Sequence, residues 1–167
     1  TLTFDGQPRA AMPLAAEFAD LDGDGRQELV VLRFVDEQSL DVVAVSLESR
    51  KSLWHYQVAG KTVNNADVKQ LLVEDLDGDG KDDLGAVRAN LSRGGLDWYL
   101  DLNGQGGAAE LVAYFGLLGD QPVTGDWNGD GFSDYGVVRN NPVRGGLDWL
   151  LDLDGNGGTA ERTTYFG

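Results

Sequence analysis

The sequence contains no cysteine, one histidine, one methionine and four prolines in 167 residues. Without cysteine there is no disulfide, no thiolate metal site and no thiol nucleophile; many exported proteins also lack it, so its absence fixes no compartment. The lone histidine, His55, cannot build a zinc cluster, and there is neither a Gly-x-Ser-x-Gly elbow nor a phosphate-cradling loop. Cations are scarce as well: 13 Lys plus Arg stand against 28 Asp plus Glu, a net charge of −15. Such a chain repels nucleic acid and anionic membrane surfaces. No apolar run approaches the length of a membrane span; Leu29-Val30-Val31-Leu32, for example, is cut off at Arg33. The chain opens at Thr1 with no signal-like segment, which reads as a processed or trimmed product.

What is present is glycine, 24 residues of it, with short strand-forming runs and carboxylates in tight clusters. Many turns between short strands indicate an all-β chain. Shifting residues 66–116 by 51 positions lays them on 117–167, and 27 of the 51 aligned positions are identical. Arg93-Gly94-Gly95-Leu96-Asp97-Trp98 matches Arg144-Gly145-Gly146-Leu147-Asp148-Trp149, and Tyr114-Phe115-Gly116 matches Tyr165-Phe166-Gly167. A more diverged first copy covers roughly 11–65. The third copy holds four strand candidates, about 121–126, 134–139, 147–152 and 161–166, and no segment carries a helical period. In the first copy, Asp41–Leu47 and Ser52–Tyr56 read as an outer hairpin. Four strands per repeat of about 50 residues is the arithmetic of a β-propeller blade. The expected architecture is therefore three four-stranded antiparallel blades, 11–65, 66–116 and 117–167, in one structural domain. Residues 1–10 are either the closing strand of a preceding blade or a disordered leader.

Three acidic stretches share one spacing: Asp20-Leu21-Asp22-Gly23-Asp24-Gly25-Arg26-Gln27-Glu28, Asp75-Leu76-Asp77-Gly78-Asp79-Gly80-Lys81-Asp82-Asp83, and Asp126-Trp127-Asn128-Gly129-Asp130-Gly131-Phe132-Ser133-Asp134. Side-chain oxygens at positions 1, 3 and 5 can converge on one hard cation, glycine at 6 allows the sharp turn, and the carbonyl at 7 and carboxylate at 9 complete the shell. Six or seven oxygens suit Ca²⁺ better than the tighter Mg²⁺ octahedron. An EF-hand would need an acid at position 12 and helical flanks, but Val31, Ala86 and Val137 stand there between strands. Plain Asp-Gly hairpin turns use the same residues for backbone reasons. Three repetitions of one ligand spacing favour the cation. Asn128 lowers the charge of the third loop, and the longer Glu28 distorts the first.

The Asp-x-Asp/Asn-x-Asp-Gly-x-x-Asp/Glu loops, the following Leu29, Leu84 or Tyr135, and the Tyr-Phe-Gly ends together resemble the FG-GAP/VCBS repeat family. These are the calcium-loop blades of integrin α-subunit propellers and of many exported bacterial proteins. The resemblance is strong over 66–167 and weaker over 11–65. It implies about three Ca²⁺ ions, one in the hairpin joining the first two strands of each blade. The ligands would be the loop side chains, with the carbonyls of Arg26, Lys81 and Phe132. Family rings close with about six to eight blades, so three blades imply a partial propeller or half of a dimeric ring.

Two shorter loops, Asp101-Leu102-Asn103-Gly104-Gln105-Gly106 and Asp152-Leu153-Asp154-Gly155-Asn156-Gly157, are either tight polar turns or weaker second cation sites. Their next acids, Glu110 and Glu161, fall one position late. Trp98 and Trp149 read as packing residues rather than a sugar platform, as does Trp127, and Arg33, Arg88 and Arg139 as partners of nearby carboxylates. The expected function is a non-catalytic, Ca²⁺-stabilised propeller module of an exported or cell-surface protein, extracellular or periplasmic, binding a protein or glycan. The alternatives are the propeller part of a secreted carbohydrate- or lipid-active enzyme, or a structural spacer.

Overall fold

A computed structural model describes residues 13–36, 39–58 and 68–167; the strand expected within 1–10 lies outside them. The described residues contain no helix. They form three antiparallel four-stranded sheets. The first runs β1 (Pro13–Ala19), β2 (Glu28–Asp36), β3 (Ser39–Ser46) and β4 (Ser52–Val58). The second runs β5 (Val68–Glu74), β6 (Asp83–Asn90), β7 (Gly95–Asp101) and β8 (Leu111–Leu117). The third runs β9 (Gln121–Gly125), β10 (Asp134–Asn140), β11 (Leu147–Asp152) and β12 (Arg162–Phe166). Within each sheet the strands follow chain order, a meander closed by hairpins. These are blade-like units, and the array of three does not close on itself.

Side-chain alternation explains why the sheets stack. On β5 the neighbours Leu71 and Leu72 point to opposite faces. Leu71, with Leu84, joins Ala19, Leu21, Val30, Leu32 and Ala44 of the first blade in one core. Leu72, with Val87, Leu96, Trp98, Leu100, Ala113 and Phe115, joins Tyr135 and Val137 of the third blade in a second core. The hydrophobic cores are thus the seams between blades, and the middle blade is buried on both faces.

Trp98 closes the second seam. It is fully buried, its indole N–H donates to the Phe115 carbonyl at 2.9 Å, and its ring stacks on Tyr135 with centroids 4.9 Å apart. Such a ring pair is worth about 0.5–1.5 kcal/mol beyond the area it buries. The packing role expected of Trp98 is the one it has, while Trp149 in β11 is half-buried. Arg33 pairs with Asp41 at 2.9 Å and Arg139 with Asp120 at 2.7 Å. Arg88 differs from that expectation by lying over the Tyr99 ring.

The first strands of successive blades face one another, β1 beside β5 and β5 beside β9. This brings the β1–β2, β5–β6 and β9–β10 loops side by side. The meander also sends the third hairpin of each blade, β7–β8 or β11–β12, out of the same end as the first.

Candidate metal centre

The first requirement of each acidic loop is a backbone that passes through left-handed conformations. Glycine permits them at positions 4 and 6: φ is 74° and 82° at Gly23 and Gly25, 80° and 84° at Gly78 and Gly80, and 83° and 96° at Gly129 and Gly131. That path turns amides inward onto carboxylates. The position-6 amides of Gly25, Gly80 and Gly131 donate to Asp20, Asp75 and Asp126 Oδ2 at 2.8, 3.1 and 3.1 Å. The position-4 amides of Gly23, Gly78 and Gly129 donate to the partner oxygen Oδ1 at 2.8, 2.6 and 2.6 Å. At the far end of each loop the position-9 acid accepts from the position-2 amide: Glu28 from Leu21 at 3.2 Å, Asp83 from Leu76 at 2.7 Å, Asp134 from Trp127 at 3.1 Å. The extra methylene of Glu28 does not prevent that closure.

On this common scaffold the three loops gather charge differently. Asp20, Asp22 and Glu28 each present a carboxylate oxygen within 4.8 Å of the others, as do Asp75, Asp77 and Asp83. In the third loop Asn128 replaces the middle acid, and its Nδ2 donates to Asp134 Oδ1 at 3.3 Å. Position 5 stands apart from the gathered groups. Asp24, Asp79 and Asp130 accept from the position-7 amides of Arg26, Lys81 and Phe132 at 2.8, 2.9 and 3.0 Å. The charged side chains at position 7 pair outside the gathered groups: Arg26 with Glu48, and Lys81 with the position-5 Asp79 at 3.1 Å.

A third gathered group lies elsewhere, in the β11–β12 hairpin, where Asp152, Asp154 and Glu161 meet within the same 4.8 Å. Glu161, which falls one position late by sequence, closes this loop all the same. Its Oε2 accepts from the position-2 amide of Leu153 at 3.0 Å, as Glu110 accepts from Leu102 at 3.1 Å. The added residue and the longer side chain compensate each other. In the Glu110 loop Asn103 Nδ2 donates to Glu110 Oε1, and the Gln105 amide donates to Asn103 Oδ1 at 2.9 Å.

Crowding leaves its mark on proton affinity. Asp83 is pushed up to about 7, first by burial and then by the charges of Asp77 and Asp75, against the pull of the Leu76 and Asp77 amides. Glu28 and Asp134 are raised as well, again with burial the largest cause and neighbouring carboxylates adding to it. A buried carboxylate among like charges favours whatever positive species can sit beside it, a proton or a metal ion. The donor set is all oxygen, and the three gathered groups could hold a hard cation.

No known family model, curated protein or solved structure matches this chain.

The loops are also tied to one another, a feature the sequence did not reveal. The Asp82 amide donates to the Asp20 carbonyl at 2.9 Å, and the Asp20 amide donates back to Asp82 Oδ2 at 2.7 Å. One blade on, the Ser133 amide donates to the Asp75 carbonyl at 2.8 Å. Position 8 of each loop thus docks on position 1 of the loop before it. The docking is close enough that a methyl group placed on Gly78 would come within 2.1 Å of the Phe132 ring. The repeated spacing shows the loops as equivalent, but position 8 changes from Gln27 to Asp82 to Ser133, so no side-chain pattern signals a main-chain contact.

Proposed function

We propose that the chain is a Ca²⁺-stabilised, non-catalytic propeller module of an exported or cell-surface protein. One observation carries this reading: the Asp75, Asp77 and Asp83 cluster, in which a buried carboxylate surrounded by like charge has an affinity for protons reaching about 7. Calcium would replace that proton, cancel the repulsion and join the end of β5 to the start of β6. Asp20, Asp22 and Glu28 would do the same for β1 and β2, and Asp126, Asn128, Asp130 and Asp134 more weakly for β9 and β10. Because the loops dock on one another, a cation in one loop also steadies the next. The likeness of these loops to the FG-GAP/VCBS pattern supports the same reading. Calcium sites of extracellular modules typically have dissociation constants of about 10⁻⁴ to 10⁻³ M, a range that suits a calcium-rich exterior.

The absence of catalysis is supported by His55, which is exposed on β4 away from the loops, and by carboxylates already committed to loop scaffolds. A protein or glycan partner would meet surfaces presented by the array. The ring is completed by a second copy or by further blades of a longer chain; sedimentation of the purified chain distinguishes a dimer from a monomer.

The test of the calcium reading is thermal unfolding in excess chelator and then across a Ca²⁺ titration, with Mg²⁺ as control. A site held at 100 times its dissociation constant adds about 2.7 kcal/mol, which in a domain of this size raises Tm by roughly 5–11 °C. A rise of that size with about 10–100 mM Ca²⁺, and little with Mg²⁺, is expected. A melt indifferent to calcium sinks the proposal and leaves the loops as ordinary turns.

A further inference from the structure

The β11–β12 hairpin differs from its counterpart in the blade before it. In the β7–β8 hairpin the third position is Asn103, whose amide group donates to Glu110 and closes the loop without external charge. In the β11–β12 hairpin Asp154 stands there. It cannot donate: its Oδ1 accepts from the Asn156 amide at 3.2 Å and its Oδ2 from the Asn156 side chain at 2.6 Å, and Asp152, Asp154 and Glu161 present three carboxylates whose oxygens meet within 4.8 Å. An independent observation concerns Asp152. Its side chain is fully buried; Oδ2 accepts from the Gly157 amide at 2.8 Å, but Oδ1 has no hydrogen-bond partner. In the loops between first and second strands the matching Oδ1 atoms of Asp20, Asp75 and Asp126 are all filled by position-4 amides.

The hydroxyl nearest this carboxylate is that of Tyr135, kept protonated first by burial and then by the charge of Asp152. Tyr135 lies directly opposite Asp152 across the ladder, yet its own hydroxyl is unpartnered too. In the preceding blade the residue opposite Asp101 is Leu84, which has no hydroxyl, and Asp101 Oδ1 is again unpartnered. The open oxygen therefore belongs to this type of hairpin, and only in the third blade do two further carboxylates converge beside it. A buried carboxylate oxygen without a donor is destabilising, a penalty that a bound cation removes.

We propose that Asp152, Asp154 and Glu161 form a divalent-cation site of a second kind, located in the hairpin between the third and fourth strands of the blade. Its ion is Ca²⁺ or a cation of like hardness, held by Asp152 Oδ1 and the carboxylates of Asp154 and Glu161. The site is independent of the loops between first and second strands, so it stands or falls separately from the calcium reading of those loops.

Native mass spectrometry of the full chain in Ca²⁺ counts the bound ions, and calorimetry gives their affinities. Asp154→Asn recreates the Asn103 arrangement at an exposed position and so leaves folding intact; it is expected to bind one ion fewer than the wild type. Asn103→Asp is expected to bind one more. Asp77→Asn serves as the control for the other class and weakens its own site by tenfold or more. If Asp154→Asn and Asn103→Asp leave the ion count unchanged while Asp77→Asn weakens binding, the second site is overturned and the calcium reading survives. If the wild type binds no ion, both are overturned.

Discussion

The β5–β6 loop of the middle blade and the β9–β10 loop of the third have the same backbone path and nearly the same internal bonds. They differ at position 3, Asp77 against Asn128, by one oxygen exchanged for nitrogen. Asp77 completes a cluster of three carboxylates, whereas Asn128 turns its amide group onto Asp134 and supplies within the loop what a cation would supply from outside. The same division separates the β11–β12 hairpin, with Asp154, from the β7–β8 hairpin, with Asn103. Glycine and the first aspartate build the loop; the residue at position 3 sets how much charge it gathers.

The largest effect should come from removing the part both loops share. Asp75→Ala and Asp126→Ala each strip the acceptor from two loop amides, and in chelator each should cost about 1–3 kcal/mol by urea unfolding. In saturating Ca²⁺ the two should separate, because Asp75→Ala also forfeits a site worth about 2.7 kcal/mol at 100 times its dissociation constant. Equal losses with and without calcium would break the comparison.

Exchanging position 3 sharpens it. Asp77→Asn should weaken Ca²⁺ binding by about tenfold, roughly 1.4 kcal/mol, while raising stability in chelator by about 1 kcal/mol through the new internal bond. Asn128→Asp should do the reverse on both counts. Tm values measured with and without calcium would refute the scheme if either variant moved in the same direction under both conditions.

The pH response is a smaller effect. The folded-state pKa of Asp83, about 7, lies above its ordinary value of 3.8, so its contribution is fully present below pH about 4 and lost as pH rises through about 7. The cation-free protein should therefore lose stability across that window, and Asp83→Asn should flatten the slope. Excess Ca²⁺, which needs the deprotonated carboxylate, should abolish or invert the decline. The smallest effect belongs to position 7. Phe132→Ala, which removes a half-exposed ring from Gly78, should cost about 1 kcal/mol, and loss of the exposed Lys81–Asp79 pair should not register.

Much of this was legible in the sequence because the informative residues act locally. Asp-Gly turn chemistry and a repeat of 51 residues fix the strands of the third blade to within a residue, and the strand alternation that places Leu71 and Leu72 on opposite faces follows from the pleat alone. What escaped reading depends on through-space geometry. Glu161 is one position late by counting, and only the actual loop shows its side chain spanning the added residue. The stacking of Trp98 on Tyr135 joins residues in different blades. The contacts from Asp82 to Asp20 and from Ser133 to Asp75 run through main-chain atoms, which every residue possesses and which no side-chain pattern announces.

Those last contacts give the array a direction. At both junctions the earlier loop offers its position-1 carbonyl and the later loop its position-8 amide, with a return bond from the Asp20 amide to Asp82 at the first, so the blades follow one another like roof tiles. A tile in the middle of a course cannot be lifted before its neighbour. Peeling the stack should therefore require a different force from each end, a polarity that three otherwise similar sheets would not possess.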